Sequence, residues 1–310
     1  MSHIYRIVHP QQREHYVLKV LDPQLLLGQR RKQRWQLCAR MRREGRIQGE
    51  LVHENLLRAH ELIDVDGLAA LVLDYVDGPA LDELLHARYP LEPKQIEEIA
   101  VGVITGVCVA HEAGVVHRDL KPSNVLIARV GDRLVPKIAD FGLAKEAQRT
   151  GAQKGPITHQ PITFDTELTR TGQVFGTPGY MAPEQTRDSK HVDARSDVFA
   201  LGVVLYELIT GERLTGPSEE ADVAAVARGL AGLDALPDVP ERHKAAIRGA
   251  LVDDEADRIG DAPTLLAVWE GRIVPEQRST TPPQRSWVAP LAGLGTLILF
   301  GALALAALAM

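Results

Sequence analysis

Two short runs constrain this chain more than anything else in it: HRDLKPSN at 117–124, and DFG, whose Asp140 follows Asn124 by sixteen residues. Asp119 supplies an acid and Lys121 a cation, while Asn124 and Asp140 supply oxygen donors of the kind a hard divalent metal takes. Phosphoryl transfer asks for little covalent help. It needs the charge of the group neutralised, the acceptor hydroxyl oriented and the leaving group held. Asp119 suits the acceptor's proton, Lys121 the γ-phosphate, and Asn124 with Asp140 a metal, so the set fits transfer from a nucleoside triphosphate. Taken singly, an Asp or Asn in a loop is usually a turn or cap residue. The combination at this order and spacing is what carries the chemistry.

The 310 residues, 45% hydrophobic and 25% charged, suffice for one large domain or two lobes of ordinary size. A net charge of −6 gives no general affinity for nucleic acid. The basic run of Arg30, Arg31, Lys32, Arg34, Arg40, Arg42, Arg43 and Arg46 reads as the solvated face of a helix, so no nucleic-acid partner is expected. Cys38 and Cys108 have no metal or disulfide spacing and read as packed thiols of a reducing compartment.

Along the chain, IYRIV and HYVLKVL within 4–21 read as two strands around a turn, and a basic, Leu-rich segment from about 23 to 51 reads as a helix. The runs 56–63 and 68–76 suit a second hairpin, so the first eighty or so residues form a small sheet-plus-helix unit. From Leu91 onward the pattern turns helical, with Ile96, Ile99, Ala100, Val103, Ile104, Val107 and Ala110 at helical spacing. Residues 125–128 and 135–139 read as a strand pair carrying the two motifs at its ends. Residues 143–175 are polar and aperiodic, as a long functional loop would be. Further helices are expected at 196–210, 222–230, 241–252 and 262–269.

The C-terminal end differs in kind. VPEQRSTTPPQRS at 274–286 is a linker by composition, and 288–310 carries no charge over a length that, as a helix, crosses a hydrocarbon layer about 30 Å thick. It reads as a single transmembrane helix in the cell membrane, with Trp287 at the interface. Arg272, Arg278 and Arg285 precede the span and nothing positive follows it, which puts the globular part on the cytoplasmic side. Its Ala and Gly content would also permit a homodimer. No N-terminal secretory signal is expected.

On these motifs the chain resembles the eukaryotic-like serine/threonine protein kinases, from about Ile4 to Trp269. The resemblance implies an α+β fold of two lobes, a kinase domain over 1–272 divided near residue 77, to which composition adds the linker at 273–287 and the membrane helix at 288–310. It implies ATP and Mg2+ as cofactors and protein substrates with Ser or Thr acceptors. By the same resemblance Lys19 of YVLKV would hold the α- and β-phosphates and Glu44 of MRREG would pair with it. Ile4, Val17, Leu73, Asp74, Val76 and Leu126 would contact the nucleotide, Leu73 as gatekeeper and Asp74 to Val76 as hinge. Downstream, GTPGYMAPE at 176–184 resembles a substrate-docking loop, in which Thr177 would bond toward Asp119 and Lys121 and Glu184 would pair with Arg258. Asp197 would tie down the catalytic-loop backbone. Arg118 would receive a phosphate on Thr169 or Thr171 and so order the loop.

One departure stands out. Such kinases open with a Gly-rich loop over the triphosphate, and here Ser2 falls where its third glycine belongs. Either the start lies upstream, or the phosphate lid is lost and the sheet lacks an edge strand. The competing expectation is therefore a pseudokinase or membrane-anchored scaffold that binds nucleotide or partners without turnover. Asp74, in place of a commoner hinge glutamate, reads as a minor change because the backbone makes the adenine contact.

Overall fold

The computed structural model describes residues 2–11, 13–22, 31–65, 68–87, 91–141, 145–146, 178–187, 192–215 and 223–274. The first compact unit of the chain runs Met1–Pro275. Within it, β1 (Ser2–Val8) and β2 (His15–Leu21) form an antiparallel hairpin in which Ile4 faces Lys19 and Arg6 faces Val17. Helix α1 (Arg31–Glu50) follows, then β3 (Ala59–Val65) and β4 (Leu68–Asp74). The four strands make one sheet in the order β1-β2-β4-β3. Strand β4 lies inside it and is the apolar one, with Ala69, Ala70, Leu71 and Leu73 buried, whereas β3 alternates polar side chains along an edge.

Residues 74–80 lead out of this lobe. The short helix α2 (Leu81–His86) follows, its first turn closed by Glu83, whose carboxylate accepts from the Ala80 N–H. Six residues are too few for a periodic signal, which is why the sequence reading passes over it. Helix α3 (Pro93–Glu112) starts at a proline and buries Ile99, Val103, Ile104 and Val107 on one stripe. Next come β5 (Val115–Val116), a 3-10 turn at Pro122–Asn124, and the hairpin β6 (Val125–Val130) and β7 (Arg133–Ile138). β5 pairs with β8 (Lys145–Glu146).

The remaining elements are helical: α4 (Pro183–Arg187), α5 (Ala194–Thr210), α6 (Val223–Asp234), α7 (Glu241–Ala250) and α8 (Ala262–Trp269). In α5 every residue from 196 to 208 is buried. Valine costs a helix roughly 0.5 kcal/mol against alanine, whereas burying one stabilises by about 1.5 kcal/mol or more. Burial of Val198, Val203 and Val204 therefore decides the conformation. The helix is capped by Asp193, which accepts from the Arg195 N–H, and ends at Gly211 in the left-handed region (φ 69°). Two cores result. One joins β2, β3, β4 and α1 through Leu21, Met41, Leu57, Leu71 and Leu73; the larger is centred on α3 and α5.

The two-lobed α+β architecture matches the expectation. Residues 288–310 lie outside the described part, and among the described residues no helix is long and apolar enough to cross a membrane.

Candidate active site

The site is assembled from both cores. Lys19 sits in the middle of β2 with its side chain 12% exposed, and its Nζ lies 2.5 Å from Glu44 Oε1 and 3.2 Å from Asp140 Oδ1. Burial works against the ammonium, but the two carboxylates more than offset it and the Lys19 pKa is raised. Glu44 comes this close because the next residue on α1 is Gly45. A Cβ there would lie 2.2 Å from Leu71 Cδ2, so the helix rests directly on β4. Leu71 itself pairs with Lys19 across the β2–β4 ladder, a neighbour that the sequence reading did not name.

Val17, Leu73, Val76 and Leu126 pack in the small-lobe core together with Ala139, a residue that sequence reading missed. They form an apolar floor at the join between the lobes. Ile4 shares the Lys19 face by register but is 60% exposed and stands outside that cluster. The join is fixed by backbone contact: Ile127 N–H donates to Pro79 O at 2.9 Å, and Gly78 lies so close to Ile127 O that a Cβ would sit 1.9 Å from it. The side chain of Asp74 is engaged away from the hinge backbone, its Oδ1 lying 2.6 Å from His60 Nε2 on β3.

Across the join, Lys121 Nζ lies 3.1 Å from Asp119 Oδ2. Asn124 Nδ2 donates to Asp119 O at 2.8 Å, and Ala139 N–H donates to Asn124 O at 2.8 Å, stitching the two motifs into one surface. His117 Nδ1 accepts from the Asp119 N–H, which leaves the ring proton on Nε2 to donate to Ala139 O at 3.0 Å; the ring stands 4.7 Å from that of Phe141. Arg118 and Asp140 hold φ of 71° and 65°, strained for residues with a Cβ. At Arg118 the strain is held by Asp197, buried in α5, whose oxygens accept from the N–H groups of His117 (2.7 Å) and Arg118 (2.8 Å) and from His111 Nε2 (3.0 Å). Burial alone would raise the Asp197 pKa, but these donors and the neighbouring imidazoles hold it below the ordinary carboxylate range.

The docking segment is tied to the same loop. Glu184 receives both terminal nitrogens of Arg258, at 2.7 and 3.0 Å, and the Arg258 side chain is fully buried. Gln185, which no sequence motif singles out, donates to Arg118 O and accepts from the Ala182 N–H. Tyr180 donates to buried Glu207 at 2.8 Å, where loss of water raises the carboxyl's pKa. Thr169, Thr171 and Thr177 lie outside the described residues.

Asn124 and Asp140 provide oxygen donors only, and among the described residues no cluster of three or more His, Cys, Asp or Glu could hold a metal by itself. Oxygen donors from two side chains, completed by phosphate and water, suit Mg2+, which seldom takes an all-protein cage.

The family described as Protein kinase domain matches residues 1–266. The chain belongs to that family. Its relatives include the serine/threonine-protein kinase pkn3 of Myxococcus xanthus, 34% identical over 282 residues that make up 87% of this chain and 47% of that protein. PknL of Mycobacterium tuberculosis is 34% identical over 258 residues, 80% of this chain and 59% of PknL. PknB of Mycobacterium leprae is 34% identical over 177 residues, 56% of this chain and 25% of that protein. The chain therefore spans about half the length of the curated relatives it matches, all of them bacterial serine/threonine-protein kinases. Within that domain, Lys19 contacts Glu44 and Asp140, and Asn124 ties the Asp119 backbone to Ala139, the residue before Asp140.

Proposed function

We propose that this protein is a serine/threonine protein kinase that transfers the γ-phosphate of ATP to protein hydroxyls, phosphorylates its own loop and is anchored in the membrane. The observation that carries the transferase reading is the double contact of Lys19 with Glu44 and Asp140, opposite the Asp119–Lys121 pair. Lys19 holds the α- and β-phosphates, and Glu44 keeps its ammonium in place. Asp119 orients the acceptor hydroxyl and takes its proton, while Lys121 screens the charge between that carboxylate and the γ-phosphate. Asn124 and Asp140 would hold Mg2+, which would supply charge neutralisation at the phosphates. Adenine lies on the apolar floor of Val17, Leu73, Val76 and Leu126, next to the backbone of Asp74 to Val76.

Regulation by a phosphate on Thr169 or Thr171 is supported at its receiving end. Burial lowers the pKa of the Arg118 guanidinium, Asp197 offsets part of that, the neighbouring positive charge of Arg43 adds to it, and among the described residues Arg118 Nε has no partner. A dianion there would pair with that N–H and offset the Arg43 repulsion. The membrane reading rests on the uncharged run 288–310 and the arginines before it, with the kinase domain at 1–272, a linker at 273–287 and a homodimer through the span.

The test is incorporation of labelled phosphate from ATP and Mg2+ into the full-length protein and a generic basic protein. Incorporation no greater than that of Asp119→Asn would refute the transferase reading. Deleting 288–310 should move the protein to the soluble fraction, and unchanged membrane association would refute the anchor.

A further inference from the structure

Helix α1 carries seven arginines and lysines against two glutamates, in a chain whose net charge is −6. One of those glutamates, Glu44, is turned inward onto Lys19. The helix therefore concentrates positive charge in a protein that is otherwise strongly acidic.

Its two sides differ. Leu37, Cys38 and Met41 pack into the small-lobe core, and Glu44 and Gln48 are buried along the same side. Trp35, Arg42 and Arg46, at spacings of seven and four, share the outer side and are exposed there. The indole itself is 54% exposed. Arg43 stands apart from this row, because its charge is felt at Arg118.

A row of arginines alone is a solvated face, but an indole left in water among them gains nothing from solvation. An anionic bilayer surface suits both at once: the ring enters the boundary between headgroups and acyl chains, and the guanidinium groups meet lipid phosphates. The tether favours this partner over a soluble one. The linker 273–287 has fifteen residues and spans at most about 50 Å, roughly the width of a domain of this size. A surface held within that reach has a high effective concentration, which no soluble acidic protein shares. The same surface repels the acidic remainder of the domain, so α1 is the side it selects.

We infer that the outer side of α1, through Trp35, Arg42 and Arg46, docks on an anionic lipid surface and lays the kinase domain against the leaflet. This rests on the reading of 288–310 as a membrane anchor and not on phosphate transfer.

The test uses full-length protein in vesicles of phosphatidylcholine, alone or with about a third phosphatidylglycerol, the acyl chains brominated near the headgroup. Emission from Trp35 is the difference between the parent and Trp35→Phe. It should be quenched about twofold or more in the anionic vesicles and little in the neutral ones, and about 0.5 M salt should remove the effect. Arg42→Glu with Arg46→Glu should lower the ratio of docked to undocked domain by about twentyfold or more, with parent-like circular dichroism because both side chains are exposed. Equal quenching in neutral and anionic vesicles, or quenching untouched by the double reversal, would overturn the inference. So would a soluble polyanion that shields Trp35 from acrylamide while brominated lipid leaves it unquenched, which would give this side to an acidic macromolecule. Protein that floats with anionic vesicles only at low salt, yet shows the quenching there, would fail the anchor reading and leave the docking side standing.

Discussion

Lys19 Nζ stands 2.5 Å from Glu44 Oε1, although the two residues belong to different elements and approach only because Gly45 lets α1 rest on Leu71. The pair couples the small-lobe sheet to the helix. Asp140, 3.2 Å away on the other side of the ammonium, couples both to the larger lobe.

Replacing each partner in turn should show what the pair contributes to chemistry. Lys19→Met is expected to lower phosphate transfer by about 100-fold or more, as loss of a charged group at the transferring phosphate does. Glu44→Gln should cost less, on the order of tenfold, and appear mainly in KM for ATP. Glu44→Gln should keep circular dichroism and Tm close to the parent, whereas Lys19→Met leaves the buried Glu44 carboxylate without its cation and should lower Tm as well; parent-like phosphate transfer by folded Lys19→Met would contradict its role at the site.

Gly78 should tolerate no side chain. A Cβ at 1.9 Å from Ile127 O meets backbone rather than a side chain that can turn aside, so the 78–80 segment or β6 must shift. Gly78→Ala is expected to destabilise by about 1–3 kcal/mol and to weaken ATP binding, because the same segment carries the hinge at Asp74 to Val76 past Leu126. Nucleotide titration and urea unfolding would check both. Parent-like ATP affinity would show that the hinge does not depend on this contact.

Arg258 makes a forked bond to Glu184 and also donates to Val252 O, Arg195 O and Asp253 O. Its removal leaves the half-buried Glu184 carboxylate without its cation and three backbone carbonyls without their donor. Arg258→Ala should cost about 3–5 kcal/mol in urea unfolding, and the double variant with Glu184→Ala should cost less than the sum of the two single changes. Additive losses would mean that the pair is not coupled.

Acid should weaken the join of α3, α7 and α8 through His243. Its ring stacks on Trp269 at 3.9 Å and accepts from Arg242 Nε, and burial, then Arg242, lowers its pKa to about 4. Glu97 Oε2, 3.3 Å away, pulls in the opposite direction, but it is 39% exposed and also receives Trp269 Nε1–H. The unfolded chain takes up this proton near pH 6.5 and the folded protein only near pH 4. Stability is therefore fully present above about pH 6.5 and is lost as pH falls toward 4, by roughly 2–3 kcal/mol at pH 4.5. Urea midpoints at pH 7 and pH 4.5 should differ by this amount in the parent and by clearly less in His243→Phe. An equal drop in both would assign the acid sensitivity to other groups.

Sequence alone determined the parts whose cause is local. The hairpins, α1, α3 and α5 follow from alternation or helical spacing, and the order HRDLKPSN then DFG already named Asp119, Lys121, Asn124 and Asp140 as a set. Family resemblance added Lys19, Glu44, Glu184, Asp197 and Arg258, which the structure places in the ion pairs and hydrogen bonds described. Tertiary structure alone decided which residues support them. Gly45 against Leu71, Gly78 against Ile127, Asn55 on β7, Gln185 on Arg118 and His60 on Asp74 are contacts between segments far apart in the chain, and no periodicity records a distance across space. Burial is also a property of the packed state: nothing in RIQGEL marks Gln48 as an amide shut away from water, and only the closing of α1 onto the sheet makes it one.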